Sequence, residues 1–261
     1  MKKYRYSSTR KCAGRLLLVC AALPFVTHAQ TDEIQVYDAG IVDPGKFELT
    51  VHGNYTPDGL KQPAFPGGVT PNHSINGAFE WAYGAADFLE LGLYLPVYTV
   101  TNNGNPQFDG GKLRMLWVVP HARQWEYFYG VNFEFSYNVH HWESTRTALE
   151  IRPIVGAHEG KWDLIFNPIL DSDFKGFGAM HFAPAEHIAY NLTPKWAFGL
   201  EHYGDLGPLR HFDPVSQQSQ SLFAVADYNV DEANSVEFGV GYGLTSQTDD
   251  VVLKLIFNHD L

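Results

Sequence analysis

Cysteine is almost missing from these 261 residues: there are two, Cys12 and Cys20, both near the N-terminus. A chain without them holds no disulfide, no thiolate metal site and no cysteine nucleophile. Long apolar runs are missing too. After Val26 no stretch reaches the roughly 18 residues of a membrane helix. Basic residues are few, 18 Lys+Arg against 29 Asp+Glu. That balance excludes nucleic-acid binding, which depends on cations neutralising phosphates. Neither H-E-x-x-H, nor EF-hand spacing, nor a G-x-S-x-G elbow occurs.

The N-terminus is where the cations concentrate. Lys2, Lys3, Arg5, Arg10, Lys11 and Arg15 precede an apolar stretch from Leu16 to Val26, and Thr27-His28-Ala29 offers small residues at −3 and −1. This is a Sec-type signal peptide over 1–29, with cleavage expected before Gln30. Cys20 does not make it a lipoprotein signal, because bulky Val19 stands where a small residue is needed. Cleavage removes both cysteines and leaves 12 Lys+Arg against 29 Asp+Glu, a formal charge of −17.

The remaining 30–261 reads as one domain of alternating segments. Phe47, Leu49, Val51 and Tyr55 alternate with Glu48, Thr50, His52 and Asn54; Tyr127 to Tyr137 alternates with Gly130, Asn132, Glu134, Ser136 and Asn138. Comparable runs begin near 89, 162, 196 and 236, with weaker ones near 74–84, 111–119, 147–157, 181–191 and 220–229. The last, Val251 to Leu261, keeps apolar residues on every second position almost to the carboxylate, where soluble chains fray. About twelve strands result, an even number. Polar connections at 56–73, 98–110, 139–146, 171–180, 205–219 and 245–250 alternate with mostly shorter turns. Long loops on one side and both termini on the other predict an all-β, antiparallel transmembrane barrel of the outer membrane. Pro153, Pro168 and Pro184 fall inside strands and predict bulges or displaced strand limits. Glu186 and His202 land on the lipid-facing parity, which predicts a register error or a bulge.

The inward parity carries Glu90, Lys112, Arg114, Glu134, Glu150, Arg152, Asp163, Glu201, Glu237 and Lys254. Adjacent strands bring opposite charges near one another, with Arg152 expected between Glu134 and Asp163. Such residues fill and stiffen a wet lumen, or form charge rings that tune passage of small polar solutes. His140-His141-Trp142-Glu143, the group His202, Asp205, His211 and Asp213, and the pair Asp171 and Asp173 could in principle ligate an ion. Loop histidines and acids read more simply as solvated surface, so neither metal nor cofactor is expected. Ser136, Asn138 and His140 share a face at a strand end. Residues two apart on one strand face sit about 7 Å apart, too far for direct proton transfer, and no catalytic residue is assigned. Trp81, Tyr83, Tyr127, Trp142, Trp162, Tyr190 and Trp196 near strand ends suit interfacial girdles.

Three stretches carry a resemblance: Glu80-Trp81-Ala82-Tyr83-Gly84-Ala85-Ala86-Asp87-Phe88-Leu89-Glu90-Leu91-Gly92, Glu201-His202-Tyr203-Gly204-Asp205-Leu206-Gly207, and Gly239-Val240-Gly241-Tyr242-Gly243-Leu244-Thr245. The chain resembles proteobacterial outer-membrane β-barrel proteins of the grouping associated with meta-cleavage phenol degradation and related transport. The resemblance implies residence in the outer membrane and uptake or efflux of small organic molecules. Its motifs are turns and glycine-bearing strands, so it supplies no active-site residue. The chain departs from such barrels in ending on Leu261 rather than Phe. The expected role is a non-enzymatic channel for a small solute. An outer-membrane enzyme acting on lipid or lipopolysaccharide, or a soluble periplasmic β-sandwich that binds a ligand, are the alternatives. Expected partners are outer-membrane lipid, lipopolysaccharide and, through Phe257 and Leu261, the barrel-assembly machinery.

Overall fold

The computed structural model describes residues 32–261. The signal peptide expected over 1–29, with both cysteines, lies outside them. Twelve strands follow one another: β1 (Phe47–Asp58), β2 (Ile75–Ala86), β3 (Leu89–Val100), β4 (Pro106–Val118), β5 (Tyr127–Asn138), β6 (Thr147–Glu159), β7 (Trp162–Ser172), β8 (His181–Asn191), β9 (Trp196–Asp205), β10 (Ser219–Asn229), β11 (Asn234–Gly243) and β12 (Val251–Asp260). Each pairs antiparallel with its sequence neighbours, and β1 closes onto β12 from Glu48↔Asp260 to Asp58↔Val251. Closure leaves no strand edge unpaired.

Alternation decides what each face meets. On β12, Leu253 and Leu255 point out and are exposed, whereas Lys254 and Ile256 point in and are buried. The same division holds round the wall, with Leu91, Leu93, Leu113, Met115, Phe135, Leu164, Leu200 and Val240 outside. Toward the short-turn end this apolar band finishes in ring pairs: Phe47–Tyr83, Phe88–Trp117, Trp162–Tyr190 and Trp196–Tyr228, with centroids 4.4–5.7 Å apart. An exposed apolar belt of this extent, edged with aromatics, suits lipid rather than water.

The expected loop 98–110 shrinks to 101–105 because β3 and β4 run further than their alternation suggests. The β3–β4 register shifts on both sides of Val97↔Gly110. Gly110 sits there at φ 145°, a conformation open to glycine. Beyond the bulge the inward parity changes, so Val97 and Asp109 are buried although Leu95 and Gly111 are not.

Proline makes no bulge. The β7–β8 register runs unbroken through Pro168↔Pro184, and Val131↔Pro153 is likewise in step. In the β6–β7 register fixed by Ile151↔Leu170 and Val155↔Phe166, Pro153 stands opposite Pro168. The two missing N–H donors therefore coincide in one interruption of the ladder. Nor is there a register error at Glu186 and His202: they pair in step on the outer face, His202 Nδ1 2.7 Å from Glu186 Oε2. Each satisfies the other, which lowers the cost of the outward position.

Trp142 does not join a girdle. It is 3 % exposed, folded inward on the 139–146 loop against Ala78, Tyr94 and Val97.

Candidate functional site: an occluded lumen

A barrel of about eight strands is filled by its own side chains, and one of sixteen leaves an aqueous channel. Twelve strands leave space between those limits. Residues 32–43, ahead of β1, occupy it. The chain passes Gly84 at the short-turn end, where Pro44 bridges Gly84 and a Cβ on that glycine would lie 2.3 Å from Asp43 O. From there the segment runs up inside the wall as far as Asp32.

Side chains on five strands hold its backbone. Glu90 Oε2 accepts from Val42 N at 2.6 Å. Asn167 takes both polar groups of Tyr37, its Oδ1 accepting from N at 2.8 Å and its Nδ2 donating to O at 3.1 Å. Arg152, Lys254 and Asn54 donate to the carbonyls of Gln35, Ile34 and Asp32, each at 3.1 Å. These bonds pair the backbone of Asp32, Ile34, Gln35, Tyr37 and Val42 without a neighbouring strand. Its side chains are seated too. Val36, Tyr37 and Ala39 pack with Leu116, Ile154 and Ile169, and Ile34 packs with Phe223 and Val225. The Tyr37 and Tyr94 hydroxyls are 2.7 Å apart, and the Arg152 guanidinium lies 4.3 Å from the Tyr37 ring centre.

Nine of the ten inward charges fall into four groups. Arg114 bridges Glu90 at 2.5 Å and Glu80, which also meets His52 at 3.2 Å. Lys112 lies 2.9 Å from both Glu134 and Asp32. Arg152 pairs with Glu150 at 2.7 Å and with Glu33 at 3.7 Å. Lys254 contacts Glu201 and Glu237, and His187 reaches Glu201 at 3.0 Å. The expected placement of Arg152 between Glu134 and Asp163 does not occur. Glu134 stands across from Glu150 and turns to Lys112 instead. Asp163 sits apart, held by His158 and Asn191 at 2.6 Å each.

A cavity flanks the segment on each side. The larger, about 420 Å³, opens among the long loops, and the smaller, about 170 Å³, lies toward the short turns. Gln35 lines both. The segment is the partition between them, and two of the four ion-pair groups hold it through Asp32 and Glu33.

The loop groups do not assemble a reactive centre. Asn138 Nδ2 donates to Glu143 at 2.6 Å, the His140 ring lies tilted against Phe65 and His141 pairs with Asp109 at 2.8 Å, which separates the Ser136–Asn138–His140 set. His181 meets Asp205 at 3.1 Å. Among the described residues no group of three or more His, Asp or Glu is placed to hold a metal ion.

Sequence reading missed Tyr37, Glu80, Tyr94 and Asn167. Glu80 and Tyr94 share the inward parity of their strands and were accessible to that argument. Nothing local marks Asp32–Val42 as a lumenal segment. Asn167→Ala should release Tyr37 from both hydrogen bonds, worth about 1–3 kcal/mol together. Hydrogen exchange should then show roughly 10- to 100-fold less protection at the Tyr37 amide, with β7 and β8 amides unchanged.

No family model matches the chain, and no curated protein matches it in sequence. Solved structures do share its shape. An outer membrane channel from Pseudomonas putida F1 superposes with TM-score 0.59 at 12% identity, over 88% of this chain and 100% of its own. The KdgM porin, also solved in complex with oligogalacturonate, gives TM-score 0.53 at 9% identity over 82% of this chain and 99% of its own. At these identities the likeness is one of fold: a closed twelve-stranded antiparallel barrel built like outer-membrane channels and porins.

Proposed function

We propose that the protein is a non-enzymatic outer-membrane channel for a small solute, of the grouping associated with meta-cleavage phenol degradation and transport, and that residues 32–43 close it at rest. The observation that carries this reading is a lumen with one cavity toward each end, separated by a single segment held through side chains. A structural barrel has no need of such a partition. The long-loop end faces outside the cell; the start of β1 and the C-terminus face the periplasm, as is usual in outer-membrane barrels, while residues 43 to 32 lead back up into the lumen. Lipid and lipopolysaccharide surround the apolar belt.

Liposomes loaded with the purified full chain test the transport claim. Uptake of a small neutral or charged organic solute above that of empty liposomes is expected. Uptake equal to that of empty liposomes, with phospholipid hydrolysis in its place, would establish the enzyme reading.

Assembly gives a separate expectation. Phe257 points outward between Val51 and Val236, and Leu261 N donates to Phe47 O at 2.8 Å. Phe257→Asp places a charge on the lipid face and removes an aromatic from the proposed recognition signal. The amount of heat-modifiable barrel in the outer-membrane fraction should fall several-fold; unchanged yield would remove the assembly role.

A further inference from the structure

The larger cavity has a strong charge bias. Nine carboxylate residues line it, against Lys112, Arg152 and His181. Both strong cations are already held, Lys112 by Asp32 and Glu134, Arg152 by Glu150 and Glu33. Among the described residues Glu143, Asp171 and Asp249 have no Lys or Arg ion-pair partner in contact. Burial pushes the Glu143 carboxyl up to about 7, more than the opposing charge of Lys112 offsets.

A second observation points the same way. Asp32 and Glu134 are more than nine-tenths buried, and each gives one oxygen to Lys112. The other oxygens, Asp32 Oδ2 and Glu134 Oε2, accept no hydrogen bond from the described residues. Buried carboxylate oxygens without donors are costly, and a donor entering the cavity would relieve them. Part of the lining is an apolar wall, with Phe65, Trp142, Ile169 and Phe223 among it, beside neutral polar residues such as Asn54, Ser136 and Thr248. A bare metal ion would gain nothing from that wall. A molecule with a cationic donor and an apolar body would use both surfaces, and about 420 Å³ is the size of small-ligand sites.

We propose that the cavity on the long-loop side binds a small organic ammonium ion, its charged nitrogen on the Asp32 and Glu134 carboxylates and its apolar body on the aromatic wall. The assignment of that ion as cargo rests on the channel reading; its binding does not.

Calorimetric titration of the full chain in detergent micelles tests this with three probes of one shape: benzylammonium, benzyl alcohol and benzoate. Benzylammonium should bind at least tenfold tighter than the alcohol, and benzoate should bind weakest. Glu134→Gln should weaken benzylammonium about tenfold and leave the alcohol unchanged, while heat-modifiable mobility reports that the barrel is intact. If that variant does not fold, Glu143→Gln at the loop rim should show a smaller loss confined to benzylammonium. Alcohol or benzoate binding as tightly as benzylammonium to the unaltered chain overturns the proposal. Selective ammonium binding without solute flux into liposomes would count against the channel and leave the site standing. Flux without ammonium preference would do the reverse.

Discussion

Replacing Lys254 with Met should destabilise the barrel by about 3–5 kcal/mol, the cost of leaving buried carboxylates without their cation. The Lys254 side chain is fully buried, and its Nζ contacts both Glu201 and Glu237 while donating to Ile34 O at 3.1 Å. Its stem lies over Gly239, where a Cβ would come within 2.5 Å of Lys254 Cγ. Met restores most of the stem and none of the charge. Two carboxylates, Glu201 on β9 and Glu237 on β11, would then lose their shared cation, with His187 left as the partner of Glu201. Adding Glu201→Gln and Glu237→Gln to the Met variant should recover most of the loss, because neutral amides need no counterion. Urea unfolding in detergent, followed by heat-modifiable mobility, measures both. A single-variant loss below about 1 kcal/mol would mean that lumen water already screens these charges.

The barrel wall was largely legible because alternation is a local property. β5 begins at Tyr127 and ends at Asn138, where its pattern starts and stops, and the final strand runs from Val251 as its parity requires. Legibility failed where geometry breaks the period. The bulge at Val97 and Gly110 inverts the parity of 97–100 and 106–109, so 98–100 and 106–109 read as loop. Pro153 and Pro168 read as faults because the pattern of one strand does not reveal that two missing donors face each other. The inward charges were visible one by one, but their partners were not. Arg152 finds Glu33, a residue ahead of the first strand, and Asn167 finds Tyr37 at a separation of 130 residues. Contacts between a short irregular segment and five strands leave no period to read. Trp142 shows the same limit, since a loop tryptophan folded into the mouth carries the signature of one at an interface.

Deleting residues 32–41 has the largest expected functional effect. The deletion leaves Pro44 and its bridge to Gly84 in place. It removes the backbone on which Arg152, Lys254, Asn54 and Asn167 converge. The wall survives, because Lys112 keeps Glu134, Arg152 keeps Glu150, and Lys254 keeps Glu201 and Glu237. Water then replaces the segment, and the two cavities join. Charged residues lining a continuous wet lumen support ion conduction.

Single-channel recording in planar bilayers, comparing the full chain with this deletion at equal salt, measures that directly. The expected result is a small or intermittent conductance for the full chain and a steady conductance several-fold larger for the deletion, with more cation than anion current from the acidic mouth. Equal conductance in the two, with both proteins shown to be folded barrels, would contradict the claim that residues 32–43 close the channel.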